Sequence, residues 1–345
     1  MIKNKFKKRI LQETSYTSGK YLLSPEIVNL TITYQCNFQC NSCTVWRMSK
    51  YPELSSEQWD DAIKNLEQSF SKETSIEISG GEPLLRKELT YSIIKKLRKH
   101  FKNVGINSNG SLLNEQVALE LKNSGATFAK ISLYSIKDSI HDALRGFPNA
   151  AKNAKKAIEL LQKQKIKTDI GVLITSKNIS EIPSLIKHYN HPRYDNISIV
   201  LQPLDEPIGV APTSGKSKTQ TINNLWPNEK DIKDFFYWLK KNNYKKIKNS
   251  KASLKAIEKF YINHHSALNR RCLAGQRSLV IYPDGNLSFC FKRKFIGNIA
   301  KDNLKKILSS KEALAERLGI KKCEKYCRII GCNFSKTIPE ILKLK

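Results

Sequence analysis

Cys36, Cys40 and Cys43 stand at C-x3-C-x2-C spacing in Thr33-Tyr34-Gln35-Cys36-Asn37-Phe38-Gln39-Cys40-Asn41-Ser42-Cys43, just after the apolar run Ile27-Val28-Asn29-Leu30-Thr31-Ile32. Three thiolates offered to a four-iron cubane leave one iron with an open position, and an open metal position is where a substrate or cofactor coordinates. Structural zinc takes four protein ligands. No further cysteine lies near this loop, and the next histidine downstream is His100. The spacing therefore predicts that Cys36, Cys40 and Cys43 are both metal ligands and the seat of catalysis. A second feature follows the strand-like run Ser75-Ile76-Glu77-Ile78-Ser79: Gly80-Gly81-Glu82-Pro83. Two glycines permit close backbone approach and unusual dihedrals, and Pro83 fixes the exit.

With both motifs present in this order, each after a strand, the chain resembles the radical S-adenosylmethionine (SAM) enzymes. The resemblance implies that the three cysteines hold a 4Fe-4S cluster. SAM would chelate the open iron through its methionine amino and carboxylate groups, and the backbone of Gly80, Gly81, Glu82 and Pro83 would bind the SAM amino group. Asn107-Ser108-Asn109-Gly110 resembles the family's TNG turn, which places Asn109 near the SAM ribose and methionine. Ser132 resembles the fourth-strand serine that binds SAM, and Arg145-Gly146 resembles the RG whose arginine pairs with the SAM carboxylate, an anion that suits a bidentate guanidinium. Outside that frame a turn asparagine, a strand serine and a surface arginine are ordinary features. Two positions depart from the pattern. Ser42 stands before the third cysteine where an apolar residue usually packs near the adenine, leaving Phe38 or Trp46 to supply that packing, and Tyr134 stands where an acidic residue usually follows the fourth strand.

These residues need a scaffold that brings loops together, and the apolar periodicity supplies one. A Ser55-x-x-Gln58 cap predicts a helix with Trp59, Ala62, Ile63, Leu66 and Phe70 on one face. Further helices are expected over 91–100, 115–123 (stopped by Gly125), 150–164 and 181–189, separated by strands over 104–106, 128–133, 168–174 and 196–201. Six strand–helix steps imply a parallel sheet with right-handed crossovers and a site at the strand C-termini. The expected fold is α/β, a partial (βα)6 TIM-type barrel with a small C-terminal cysteine-rich α+β extension. The expected units are an N-terminal extension (1–25), the barrel (26–205), a linker or lid with helices (206–265), and an auxiliary domain (266–345). In the third, Phe235, Phe236, Trp238 and Leu239 form an apolar helix face.

The other five cysteines gather near the end. Cys272 precedes Leu279-Val280-Ile281-Tyr282, the turn Pro283-Asp284-Gly285-Asn286 and Leu287-Ser288-Phe289-Cys290, which reads as a hairpin. Cys323, Cys327 and Cys332 return after a helix carrying Leu304, Ile307 and Leu308. With Gly297-Asn298-Ile299, the arrangement resembles the SPASM and twitch extensions of radical SAM enzymes. Five cysteines imply one auxiliary 4Fe-4S cluster held by Cys272, Cys290 and two of Cys323, Cys327 and Cys332. A four-cysteine zinc ribbon is the competing reading.

The chain has 345 residues, 40% of them hydrophobic and 26% charged, which suits a globular enzyme of about two units. No apolar run approaches the ~20 residues of a membrane span, and the lysine-rich start lacks a signal-peptide core, so the cytoplasm is expected. Cysteines clustered rather than spread fit reduced metal sites better than disulfides. The net charge of +29 is dispersed along the chain. A spread of this kind is foremost a solvated surface, and it leaves acidic partners, nucleic acid included, open. The resemblance implies an enzyme that draws electrons from a flavodoxin- or ferredoxin-type reductant, cleaves SAM to a 5′-deoxyadenosyl radical and abstracts a substrate hydrogen atom. Modification of a ribosomally made peptide is the leading expectation for the substrate. Oxidation or rearrangement of a small molecule (a sugar, nucleotide or lipid precursor), nucleic-acid modification, and a non-enzymatic iron–sulfur or zinc scaffold are the alternatives.

Overall fold

A computed structural model describes residues 2–205, 224–242, 244–331 and 334, with side chains from residue 10 onward. The expected linker at 206–220 and Cys332 lie outside the described residues. After helix α1 (Ile2–Ser18), the chain alternates: β1 (Ile27–Thr31), α2 (Ser56–Ser69), β2 (Ser75–Ser79), α3 (Lys87–Leu97), β3 (Asn103–Ser108), α4 (Glu115–Asn123), β4 (Phe128–Ser132), α5 (Asp138–Arg145), α6 (Ala150–Lys163), β5 (Lys167–Ile174), α7 (Ile182–Tyr189) and β6 (Ile197–Pro203). Two helices, α8 (Glu229–Asn242) and α9 (Lys251–Ile262), lead to β7 (Ser278–Ile281), β8 (Asn286–Ser288), β9 (Gly297–Asn298), α10 (Leu304–Ser309) and α11 (Lys311–Lys321).

The strands form one nine-stranded sheet in the order β6-β5-β4-β3-β2-β1-β7-β8-β9. β1 to β6 are mutually parallel, β7 joins β1 in parallel, and β8 and β9 add antiparallel. The sheet is open, so the architecture is the partial barrel expected. Its C-terminal hairpin extends the barrel's own sheet. Alternation along the strands explains the layering. Ile76 and Ile78 of β2, Ile106 of β3, Ala129 and Ile131 of β4, Ile170 of β5 and Ile199 of β6 are buried against the helices. The residues between them, among them Glu77, Asn107, Lys130 and Asp169, face the concave side.

The helix faces follow the sequence pattern. Ser55 and Gln58 form a reciprocal capping box, and Trp59, Ala62, Ile63 and Leu66 are buried. Phe70 is the C-cap of α2 rather than a member of its helical face. α3 starts at Lys87 and ends at Leu97, earlier than the expected 91–100, because Pro83–Arg86 forms a 3-10 turn that feeds directly into it. α5 was not legible: it is eight residues long and ends where Gly146 takes a left-handed φ of 61°. The 1–25 segment carries α1, whose end packs on α11: Lys321 donates to the Thr17 carbonyl (2.7 Å) and Arg317 to that of Gly19 (2.5 Å). The exposed edge of β6 is covered by the segment after α8, where Ile199 N donates to Lys246 O (2.8 Å) and Lys248 N to Ile199 O (2.9 Å). An unpaired strand edge invites aggregation, and this cover removes it.

Candidate active site

The loop after β1 carries the three cysteines across the C-terminal ends of the strands. Its root is fixed by Glu53, whose carboxylate accepts from Thr33 Oγ1 (2.8 Å) and Tyr34 N (2.6 Å) and meets Arg86 Nη1 (3.0 Å). Arg86 also donates to the Ile32 carbonyl (3.2 Å), tying the turn after β2 to the same root. Cys40 is buried, and Cys36 and Cys43 are half-buried. Burial pushes the Cys36 thiol up to about 12, with Glu82, Cys40 and Cys43 adding to it. A bare thiolate is therefore strongly disfavoured here, and bound cationic iron would offset that cost. Among the described residues no three His, Cys, Asp or Glu side chains converge tightly enough for a single ion. Three thiols on one short loop, electrostatic neighbours of one another, suit a cluster that presents a separate iron to each. The donor set fits a 4Fe-4S cluster.

The Gly80-Gly81 turn, Asn109 and Gly146 all dock on this loop. A Cβ added to Gly81 would lie 2.0 Å from the Gln35 carbonyl oxygen and 2.9 Å from Cys36 Cβ, and one added to Gly80, whose φ is +140°, would lie 2.3 Å from the Thr33 carbonyl oxygen. Gly81 N donates to Thr33 O and Glu82 N to Gln35 O, both at 2.8 Å. The backbone these glycines approach is the cysteine loop itself. Glu82 is wholly buried. Its carboxylate accepts from Ser108 Oγ (2.9 Å), Asn109 N (2.8 Å) and Leu84 N (3.2 Å), so its side chain braces the turn after β2 against the turn after β3. Burial pushes this carboxyl up, against those hydrogen bonds and Arg145.

Asn109 donates through Nδ2 to Asn37 Oδ1 (2.9 Å), while its Oδ1 accepts from Ser111 N (2.9 Å) and Ser111 Oγ (2.7 Å). Asn37 Nδ2 in turn donates to Ser111 Oγ (2.9 Å). Ser132 ends β4 opposite Gly171, half-buried on the concave face. Arg145, at the end of α5, is buried with Nη1 donating to Tyr134 Oη (2.9 Å), its guanidinium 5.1 Å from the Tyr134 ring and 5.5 Å from the Phe38 ring. The following Gly146 has no room for a Cβ, which would lie 2.5 Å from the Gln39 carbonyl oxygen. Of the two aromatic residues expected near the adenine, Phe38 is fully buried and stacked on Phe147 (4.2 Å), whereas Trp46 is half-buried, donates from Nε1 to Cys43 O (2.9 Å) and carries the Arg47 guanidinium 4.8 Å over its ring. Asn37, Ser108, Ser111, Glu53 and Arg86 escaped the sequence reading. They are second-partner residues whose roles depend on loops distant in sequence.

The concave face below this site is polar. Asn107, Lys130, Asp169 and Ser198 are successive register partners across β3, β4, β5 and β6. Glu77 meets Lys130 (3.2 Å) and accepts from Asn107 Nδ2 (3.2 Å), and Asp169 meets Lys248 (2.5 Å). Burial acts to raise the Glu77 carboxyl, but Lys130 and Asn107 overcome it and hold it low. At the far end of β6, Asp205 pairs with Lys292 (2.7 Å), both largely buried.

The auxiliary cysteines lie around the hairpin. Burial raises the Cys327 thiol, with Asp205, Cys290 and Cys272 adding and Lys292 opposing, and burial likewise raises Cys272, with Cys323 adding. Cys327 is thus an electrostatic neighbour of Cys290 and Cys272, and Cys272 of Cys323. Arg328 ties Cys323 to the segment before Cys272, donating to the carbonyls of Leu268 (3.0 Å), Arg270 (2.8 Å) and Cys323. All seven described cysteines are free thiols. An apolar cluster of Tyr34, Met48, Val280 and Tyr282, with Val45, Phe291 and Phe295 against it, packs the first cysteine loop on the segment after Cys290.

Comparison with known proteins matches residues 30–189 to the Radical SAM superfamily and residues 272–333 to SPASM, an iron-sulfur cluster-binding domain. Among curated proteins, the Fe-coproporphyrin III synthase of Methanosarcina barkeri is 30% identical over 46% of this chain and 39% of its own length, so the chain spans well under two thirds of it. The AdoMet-dependent heme synthase of the same organism is 24% identical over 90% of this chain and 91% of its own length. Among solved structures, native anSMEcpe with bound AdoMet and Cp18Cys peptide superposes with a TM-score of 0.65 at 20% identity, over 89% of this chain and 88% of that one.

Proposed function

Because this chain belongs to the radical SAM enzymes with a C-terminal SPASM domain, we propose that its substrate is a peptide, held on the concave face of the partial barrel beneath SAM. When bound, the cluster and SAM supply a 5′-deoxyadenosyl radical that takes a hydrogen atom from the substrate. The chain's own residues determine which molecule is presented.

One observation carries the peptide reading. Among the described residues, three lysines at or near this face are each matched by a carboxylate: Lys130 by Glu77, Lys248 by Asp169 and Lys292 by Asp205. Paired charges of both signs, flanked by the apolar wall of Tyr282, Phe291 and Phe295, suit a chain of alternating amide donors and acceptors with mixed side chains. A polycarboxylate or a nucleotide triphosphate would need uncompensated cations, and these three lysines are each compensated. The Lys130–Glu77 and Lys292–Asp205 pairs are largely buried, and burying such pairs costs desolvation, so their retention points to recognition. The dispersed positive charge of the exterior raises the local concentration of acidic peptides without entering the site. The fold shared with a protein solved with a peptide bound is compatible with this use.

The auxiliary cysteines are assigned here to one cluster, with Cys272, Cys290 and two of Cys323, Cys327 and Cys332 as its ligands. Gly80, Gly81, Asn109, Ser132 and Arg145 are assigned to the SAM side of the site, with Glu82 as their brace. The test is turnover with short peptides encoded beside the gene. Anaerobically reconstituted protein with a chemical reductant and SAM should form 5′-deoxyadenosine in step with a mass change in the peptide. Stimulation by an iron-tetrapyrrole or a nucleotide, with no peptide changed, would overturn the reading.

A further inference from the structure

Asn107 carries a polar atom that its surroundings leave unmatched. It faces the concave side from β3, with Lys130 of β4 as its register partner. Its Nδ2 donates to Glu77 Oε2 (3.2 Å), and Lys130 Nζ donates to both oxygens of the same carboxylate (3.2 and 3.3 Å). An ionised carboxylate only accepts, so the Asn107 amide must present its NH2 to Glu77 and turn Oδ1 away from it. That oxygen is buried and accepts no hydrogen bond among the described residues. A buried acceptor left unpaired is costly, and on the face of a cleft it calls for a donor carried by the molecule that binds there. The floor beneath is apolar. Gly105 has Glu77 and Phe128 as its register partners, and a Cβ on it would lie 2.7 Å from the Phe128 ring, so that ring lies across the strand. Above the floor, Glu77 and Lys130 cancel each other's charge, and their side chains keep 16% and 22% of their surface exposed, so the cleft reaches this group. Two residues farther along the same strands stand Asn109 and Ser132, assigned above to the SAM side. At ~3.3 Å per residue they lie one side-chain layer higher, about 7 Å from the Asn107 layer.

We propose that Asn107 is a specificity residue whose Oδ1 accepts an N–H from a neutral amide of the substrate, while Glu77 and Lys130 hold the asparagine in that orientation; this rests on the peptide reading given above and deepens it. Charge selects the amide. A substrate ammonium would be repelled by Lys130 and a substrate carboxylate by Glu77, whereas an amide adds no charge to a pair that is already balanced. The asparagine side chain cannot swing to serve another partner without giving up its bond to Glu77, so the acceptor is fixed before the substrate arrives, and a fixed acceptor loses little freedom on binding. An amide anchored here presents its neighbouring carbon–hydrogen bonds to the layer above, where SAM is assigned.

The experiment has two arms, both on anaerobically reconstituted full-length protein with SAM. In the first, saturation-transfer NMR compares four probes: N-methylacetamide for a peptide bond, acetamide for a side-chain amide, methylammonium and acetate. At least one amide should receive transfer in wild type and about threefold less or weaker still in Asn107→Leu, and which of the two does so identifies the source of the amide; the two ions should show no transfer that depends on Asn107. In the second arm, turnover of the peptides encoded beside the gene should show KM raised about threefold to tenfold in Asn107→Leu, the range for one neutral hydrogen bond, with iron content and SAM affinity as in wild type. Should the leucine lower either of those, Asn107→Ala, which fills less space, takes its place in both arms. A wild-type KM overturns the proposal, as does an amide signal that is absent or undiminished in the variant, and peptide turnover then still upholds the peptide reading. If no peptide is turned over, the peptide reading fails, and the amide signal alone decides whether Asn107 is the acceptor.

Discussion

A single methyl group at Gly81 should disable the site. The Cβ of Gly81→Ala would lie 2.0 Å from the Gln35 carbonyl oxygen, 2.5 Å from its carbon and 2.9 Å from Cys36 Cβ, and ordinary contact begins at 3.4 Å, so the two loops must part by about 1.4 Å. No flexible side chain can yield, because the nearest atoms are backbone. Parting the loops breaks the 2.8 Å bonds from Gly81 N to Thr33 O and from Glu82 N to Gln35 O. Each bond left unmade costs about 1–3 kcal/mol if its groups stay buried. The displaced residue is Cys36, and a misplacement near 1 Å costs about 10²-fold in a reaction that depends on alignment. Iron per chain after anaerobic reconstitution reads the first effect, and 5′-deoxyadenosine formation reads the second. Gly81→Ala should lose most of its first-cluster iron, or retain it with turnover about a hundredfold lower. Full iron with wild-type turnover would show that the loops separate freely and that Gly81 is not needed where it stands.

Replacing Cys36, Cys40 and Cys43 together by Ala should abolish 5′-deoxyadenosine while iron analysis still finds about four irons per chain, the content of one cubane; zinc in their place would make the C-terminal site structural. Glu77→Gln should leave SAM affinity unchanged but uncouple SAM cleavage from substrate modification, measured as 5′-deoxyadenosine formed per modified product. His141 tests the fold's support: burial first, then Arg145 and Lys155, lower its ring to about 3 from 6.5. A depressed folded-state value means that the stability tied to the neutral ring is complete above pH 6.5 and is lost as pH falls toward 3, about 2 kcal/mol by pH 5. Urea unfolding at several pH values should show that loss in wild type and not in His141→Asn.

How much of this was readable without a structure differs by kind of residue. The strands, the capping box at Ser55 and the helix over 115–123 follow from local pattern, because a buried face repeats with a fixed period and a cap is a contact over three residues. α5 was missed because its eight residues hold only Ile140, Ala143 and Leu144 as apolar members, too few for a period, and its end is set by Gly146 meeting Gln39 rather than by anything nearby. The cysteines and the glycine pair announce themselves by spacing. What they do to each other does not: the glycines at 80 and 81 read as room for a ligand, and the structure fills that room with Thr33 and Gln35. Glu82 read as part of a cofactor loop, and its carboxylate faces inward onto Ser108, Asn109 and Leu84.

These placements imply a consequence for how the site tolerates change. The cysteine loop has little core of its own: Phe38, Cys40 and Ala150 form a small cluster apart from the main one. Its shape is instead imposed by contacts from the turns after β2, β3 and β4, through Gly81, through Asn109 and Asn37, and through Gly146 and Asn41, which donates to the Leu144 carbonyl at 3.3 Å. A loop so held is rigid only when all the strands are in register. Damage at any of the docking positions should therefore reach the cluster before it reaches global stability, because the main core of β-strand isoleucines and helix faces is untouched by it. The opposite end of the sheet behaves differently. There the hairpin β7–β8 hydrogen-bonds directly to β1, and Tyr282 packs with Tyr34, two residues before Cys36. Disrupting Tyr282 would disturb both cysteine sites at once, so Tyr282→Ala should lower iron at both, whereas Asn109→Ala should lower it only at the first. Loss of iron from both sites in Asn109→Ala would mean that the two cysteine loops assemble as one cooperative unit, and that docking on the barrel turns is secondary.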